Sequence, residues 1–227
     1  MMNMRSTSEN GCILDHRARL LIAIAVNSST THLDREGLRE NVEEALEAGI
    51  PGRQVLEAMQ LSSLVGMHTF TVGIPVLFDE MSARQLLDGD ETACASEAEA
   101  MKRAFVADRG YWSKFLDQML VLSPDLFREF YSFSSLPWKR GSIDGKLKEL
   151  IYLATVSIPG HFYRDGFDNH LRGARNNGAT DEEIIETLQI VLSLTDDGAT
   201  PRSGEVREAI NAIRATGTAD HVNEEPR

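Results

Sequence analysis

The sequence predicts an all-α protein built from two related helical repeats. Three observations carry this. Apolar residues recur at helical spacing along most of the chain, strand-like alternation is scarce, and the two halves match each other without a gap at a shift of 129 residues, the separation of Asp15 from Asp144.

Taken in order, residues 15–26 put Ala18, Leu21, Ile22 and Ala25 on one helical face. Residues 35–48 do the same with Leu38, Val42, Ala45 and Leu46, and Gly49 follows as a helix stop. Pro51 stands near the start of a third helix over 54–64. Residues 72–77 are the one short strand candidate, but Gly73 and Pro75 favour a turn or a helix start. The middle of the chain differs in character. Asp88-Gly89-Asp90 breaks it, 96–106 reads as a helix capped near Ser96, and 111–122 sets Tyr111, Phe115, Leu116 and Met119 on one side. Ser123-Pro124 offers a capping hydroxyl followed by proline at the first helical position, so a helix follows over 126–133, with Pro137 and Gly141 expected to end it. The expected layout is a disordered tail over 1–12, a first repeat over 13–80, connecting helices over 81–142, a second repeat over 143–213 and a disordered tail over 214–227.

The internal match is the strongest signal. Leu21-Ile22 falls on Leu150-Ile151, His32, Arg35 and Gly37 fall on His161, Arg164 and Gly166, and Glu57 and Gln60 fall on Glu186 and Gln189. A duplicated helical unit can bury its apolar face against its own copy, as a symmetric dimer does, but within one chain.

Composition narrows the functional classes. A net charge of −12 repels phosphates, so neither nucleic acid nor an anionic membrane is an expected partner. No apolar run is expected to approach the length of a bilayer span, and the polar residues 1–10 lack a signal-peptide core, which together point to a cytoplasmic protein. The two cysteines, Cys12 and Cys94, form no C-x-x-C and read as reduced thiols.

One stretch is more specific. Residues 169–184 read NHLRGARNNGATDEEI, and upstream lies Lys146-Leu-Lys-Glu149-Leu-Ile. These resemble the histidine helix and the K-x-R-E-L helix of carboxymuconolactone decarboxylases. The first-repeat stretch Thr31-His-Leu-Asp-Arg-Glu-Gly-Leu-Arg, together with Tyr111-Trp112 and residues 133–138, is similar to tandem members of that family. The resemblance implies an alkylhydroperoxidase-like helical fold and a homo-oligomer. A tandem chain replaces a dimer of single units, so a dimer or trimer of chains is expected. The peroxidase branch of the fold places a redox C-x-x-C before the histidine. The second half has no cysteine, so cysteine-dependent peroxidase chemistry is not expected.

What the resemblance implies instead is a lyase doing cofactor-free acid–base chemistry, decarboxylation or isomerisation, on a small anionic organic acid or lactone. His170 would move the proton and Glu149 would orient its imidazole. Arg164, Arg172 and His161 are candidates for holding the substrate. The first repeat has Leu20 where the second has Glu149, and Asn41 where the second has His170. With His32, Asn41 and His68 as its polar set, it reads as a structural half. The second repeat departs as well, with Leu194-Thr-Asp-Asp-Gly-Ala-Thr200 standing where the first has Val65-Gly-Met-His-Thr-Phe-Thr71. Two other readings stay open. Glu149, His161 and His170, joined by Asp197, could make a two-histidine, one-carboxylate metal set. A non-catalytic binding protein of the same fold is the third.

Overall fold

The computed structural model describes residues 11–87, 95–195 and 203–221, and among these every regular element is helical. They divide into two compact units. One holds the described residues up to Val65 and from Ser142 onward, and the other spans Gly66–Gly141.

The first unit contains both repeats. Helices α1 (His16–Ser28), α2 (Arg35–Glu47) and α3 (Gly52–Ser63) form one repeat. Helices α8 (Gly145–Val156), α9 (Arg164–Asn176) and α10 (Asp181–Thr195) form the other, each starting 129 residues after its counterpart, and α11 (Ser203–His221) packs on α10. The caps repeat too. Asp15 Oδ1 accepts from Ala18 N at 2.7 Å and Asp144 Oδ1 from Leu147 N at 2.9 Å. Gly49 and Gly178 take φ +78° and +86° just past α2 and α9, a backbone that favours glycine. Helices α1 and α8 form the core. Leu20 through Val26 are all fully buried, and α8 is buried along nearly its whole length from Leu147, as expected of a helix apolar on every side.

The two repeats hold each other by the same contact made twice. Glu57 Oε2 of α3 accepts from Ser142 N and Ile143 N at 2.6 and 3.1 Å, at the start of the second repeat. Glu186 Oε2 of α10 accepts from Ile13 N and Leu14 N at 2.6 and 2.8 Å, at the start of the first. Each carboxylate also faces a cation at matched positions, Lys148 Nζ at 3.5 Å from Glu57 and Arg19 Nε at 3.6 Å from Glu186. These reciprocal bonds are those a pair of units related by a twofold axis would make.

The second unit comprises α4 (His68–Ala83), α5 (Ala95–Arg109), α6 (Lys114–Leu122) and α7 (Pro124–Arg140). Its core is aromatic. Phe105 is fully buried, edge-on to Tyr111 and Trp112 at 5.3 and 5.6 Å and 5.9 Å from Phe127.

Several expectations need correction. Residues 72–77 lie inside α4, with Pro75 in the helix, and Ile74 supplies the buried contact that holds the helix to its unit. Pro137 does not end α7. The helix continues to Arg140, Ser123 caps its start, and Gly141 N closes it onto Pro137 O at 2.9 Å. The connecting unit begins at Gly66 rather than residue 81, because α4 packs on α6. Helix α11 runs to His221, beyond the expected end of the second repeat at 213 and into the expected tail. The helical run Gly52–Ala83 is long and apolar enough, by length and composition alone, to cross a membrane, contrary to the expectation that no such run exists. A 3₁₀ turn at Leu64–Met67 interrupts it, and Glu57 pins its first part into the core of the repeats. Residues 1–10 of the expected 1–12 tail, residues 222–227 of the expected 214–227 tail, Cys94 and Asp197 lie outside the described residues.

Candidate active site

Helices α8 and α9 are joined by the loop after Val156 and lie against each other along their length. The face that α9 turns to α8 carries Gly166, His170 and Gly173, three to four residues apart and therefore stacked on one side of the helix. A Cβ at Gly166 would meet the Tyr163 ring at 2.6 Å, and one at Gly173 would meet the carboxyl carbon of Glu149 at 2.7 Å. The histidine thus stands between two places where backbone and side chains come unusually close.

Glu149 and His170 meet across this seam. His170 Nδ1 lies 2.8 Å from Glu149 Oε2, with side-chain exposures of 15% and 12%. An ionised carboxylate only accepts, so this geometry puts the proton on Nδ1 and leaves the Nε2 lone pair available. Tyr152, one turn along α8 from Glu149, stacks on the imidazole with ring centroids 4.7 Å apart and planes 24° from parallel. Lys146, one turn the other way, bonds Glu183 at 2.6 Å. The sequence reading paired Glu149 with His170 but passed over Tyr152 and Gly173. Spacing held the signal, since each lies three residues from a member of the pair on the same helical face.

Arg164 is exposed and bonds Asp168 at 3.3 Å, one turn on. Arg172 is exposed, and two residues from His170 means about 200° around α9. His161 sits in the α8–α9 loop, where its N–H bonds Ile158 O at 2.9 Å. Among the described residues no three histidine, cysteine, aspartate or glutamate side chains are grouped as a metal ion would need.

The equivalent seam of the first repeat is filled differently. Leu20 is fully buried and Asn41 nearly so. The positions matching Gly145 and Gly173 hold His16 and Glu44, whose Nε2 and Oε1 lie 3.4 Å apart in an ion-pair arrangement.

His32 and His161 occupy matching loops, and burial lowers the pKa of both below the usual 6.5, an effect the Asp34 charge partly offsets at His32. The unfolded chain therefore binds more protons below pH 6.5 than the folded one. Stability is fully present above 6.5 and is lost as pH falls through the window beneath it. The melting temperature is expected to drop between pH 6.5 and about 5, before most carboxylates titrate. The variant carrying both His32→Gln and His161→Gln should show a shallower drop, and an unchanged slope would refute the assignment.

This geometry can be set beside known proteins. The family model for the carboxymuconolactone decarboxylase family matches residues 124–203, which take in all of α7, α8, α9 and α10. A solved structure from Burkholderia xenovorans LB400, provisionally assigned as a gamma-carboxymuconolactone decarboxylase subunit, shares 33% sequence identity over 90% of this chain and 80% of its own, with a TM-score of 0.75. The chain belongs to the carboxymuconolactone decarboxylase family. Family membership agrees with the all-α architecture and with the place of Glu149 and His170 inside the matched stretch. No match was found among curated proteins.

Proposed function

We propose that this family member is an acid–base enzyme that decarboxylates or isomerises a small anionic lactone or organic acid at the Nε2 face of His170. The observation that carries the reading is the 2.8 Å bond from His170 Nδ1 to Glu149, made in a largely buried seam. A carboxylate that accepts from Nδ1–H fixes the tautomer, orients the ring and stabilises the imidazolium whenever Nε2 is protonated.

In the decarboxylating direction, the bond to the departing carboxylate breaks and its electron pair moves into the lactone's conjugated system. Carbon dioxide leaves, and imidazolium Nε2–H delivers the proton to carbon. In an isomerisation, neutral Nε2 first removes a proton and later returns it at a different carbon. Neither route needs an oxidant or a thiol, which suits a second repeat without cysteine. The substrate's own carboxylate needs a cationic partner. Arg164 and His161, at the loop end of α9, are the candidates carried into this proposal, while Arg172 faces the other side of the helix.

The test is turnover of carboxymuconolactone-type acids, followed by carbon dioxide release and loss of the conjugated chromophore. The wild-type chain is expected to turn over, and His170→Ala is expected to lose about 10²-fold or more, the usual worth of a general acid–base group. A variant melting temperature well above the assay temperature separates this loss from unfolding. Equal turnover by the variant would end this reading.

A further inference from the structure

Gly173 lies one turn after His170 on α9, on the face turned to α8, and has no side chain. The space its Cβ would need is taken by the Glu149 carboxylate, whose carboxyl carbon is 2.7 Å, Oε2 2.7 Å and Oε1 3.1 Å from that point. Contacts below about 3 Å do not survive, so one of the two groups must give way. The carboxylate is the far end of a flexible side chain, whereas a Cβ on α9 is fixed to the helix backbone. Glu149 would therefore be the one to move, and Oε2, the atom nearest the new methyl, is the atom that holds His170 Nδ1. The first repeat supports the same point. There the residue matching Gly173 is Glu44, the residue matching Glu149 is Leu20, and no carboxylate reaches across from α1.

We infer that Gly173 is a positioning residue for the Glu149–His170 pair, kept side-chain-free so that the carboxylate can dock beside the imidazole, and not a residue the fold requires. Gly173 lies within the last turn of α9 and its φ is not in the left-handed region, so nothing in the backbone calls for glycine there. A glycine inside a helix weakens it relative to alanine. Stability and site geometry are therefore set against each other at this position. Tyr152 adds a second restraint. Its stacked ring limits tilting of the imidazole, so the ring cannot follow a displaced carboxylate. This inference rests on reading Glu149–His170 as the proton-transfer pair.

The experiment uses the full chain with Gly173→Ala, beside Glu149→Gln, Tyr152→Phe and Tyr152→Leu, and takes three readouts. Thermal melting is expected to show Gly173→Ala equal to or above wild type. Long-range proton–nitrogen NMR of the imidazole, assigned by the signal missing in His170→Ala, is expected to show Nδ1–H in the wild type. In Gly173→Ala it should show a shift toward Nε2–H, the form that free histidine side chains prefer in water. Tyr152→Phe keeps the stack and should keep the wild-type tautomer, while Tyr152→Leu should broaden or mix it. Turnover of Gly173→Ala should fall by about tenfold or more with KM little changed. A Gly173→Ala chain that melts as wild type and keeps Nδ1–H overturns the inference. So does one that melts far below wild type, because the glycine would then serve packing. The tautomer needs no substrate, so it separates this inference from the functional reading. Should His170→Ala keep full turnover, the reading of the site fails, while the tautomer shift still decides what Gly173 does.

Discussion

Glu149→Gln is expected to lower turnover by about 10²-fold or more while leaving the melting temperature nearly unchanged. Glutamine has the same length and fits the same space beside Gly173, so sterics are held constant. What changes is the hydrogen-bond grammar. A carboxylate can only accept, and it dictates Nδ1–H. An amide can turn its NH₂ to the ring and donate to Nδ1, which moves the imidazole proton to Nε2 and blocks the atom that must accept. The amide also no longer offsets the imidazolium charge in a seam where both side chains are more than four-fifths buried. The decisive measurement is kcat across a pH series for wild type and variant. A variant within a few-fold of wild type at every pH would show that Glu149 only fills space.

The first repeat makes the same comparison within one molecule. Leu20 and Asn41 stand where Glu149 and His170 stand, on helices with matching starts, α1 and α8 both capped by aspartate while Asp34 caps α2 and α9 begins at Tyr163 with no side-chain cap. Fold and chemistry have separated between the two halves, and this is why the sequence disclosed them unequally. The helices were legible because the apolar period, the stop at Gly49 and the Ser123-Pro124 start each state a local rule that needs no partner. The pairing of Glu149 with His170 was legible only through the family resemblance, since the two are distant in sequence and periodicity says nothing about which helix meets which. Pro75 and Pro137 misled for a related reason. Proline marks a helix end on local grounds, but here α4 and α7 belong to a unit with an aromatic core that keeps both helices running past their prolines. Gly173 and Tyr152 were passed over because their roles consist of contact with α8 or α9 and leave no composition signal, only a spacing of three residues from His170 and Glu149. Arg164 and Arg172 had only charge and the resemblance to recommend them, and charge alone does not place a side chain on a face.

Glu57 carries the largest expected effect on stability, and the sequence showed it only as one of many matched positions. Its side chain is 6% exposed, as is that of Lys148, 3.5 Å away. Its Oε2 takes the backbone N–H groups of Ser142 and Ile143, which open the second repeat and precede α8. Glu57→Ala would leave two backbone donors short of an acceptor and take away the carboxylate 3.5 Å from the buried Lys148. Removing one member of a buried pair costs about 3–5 kcal/mol, a large share of a typical domain's stability. Glu186→Ala, the matching change, should cost less because Arg19 and Glu186 are more exposed at 12% and 15%. Urea unfolding of the two single variants gives the comparison directly. Lys148 also bonds Ile143 O at 2.6 Å, so the Glu57→Ala, Lys148→Met double variant should recover part of the loss by removing the buried cation without restoring the acceptor. A Glu57→Ala loss under about 1 kcal/mol would mean that solvent reaches Lys148 and the backbone donors readily, and that the reciprocal carboxylates are not what joins the repeats.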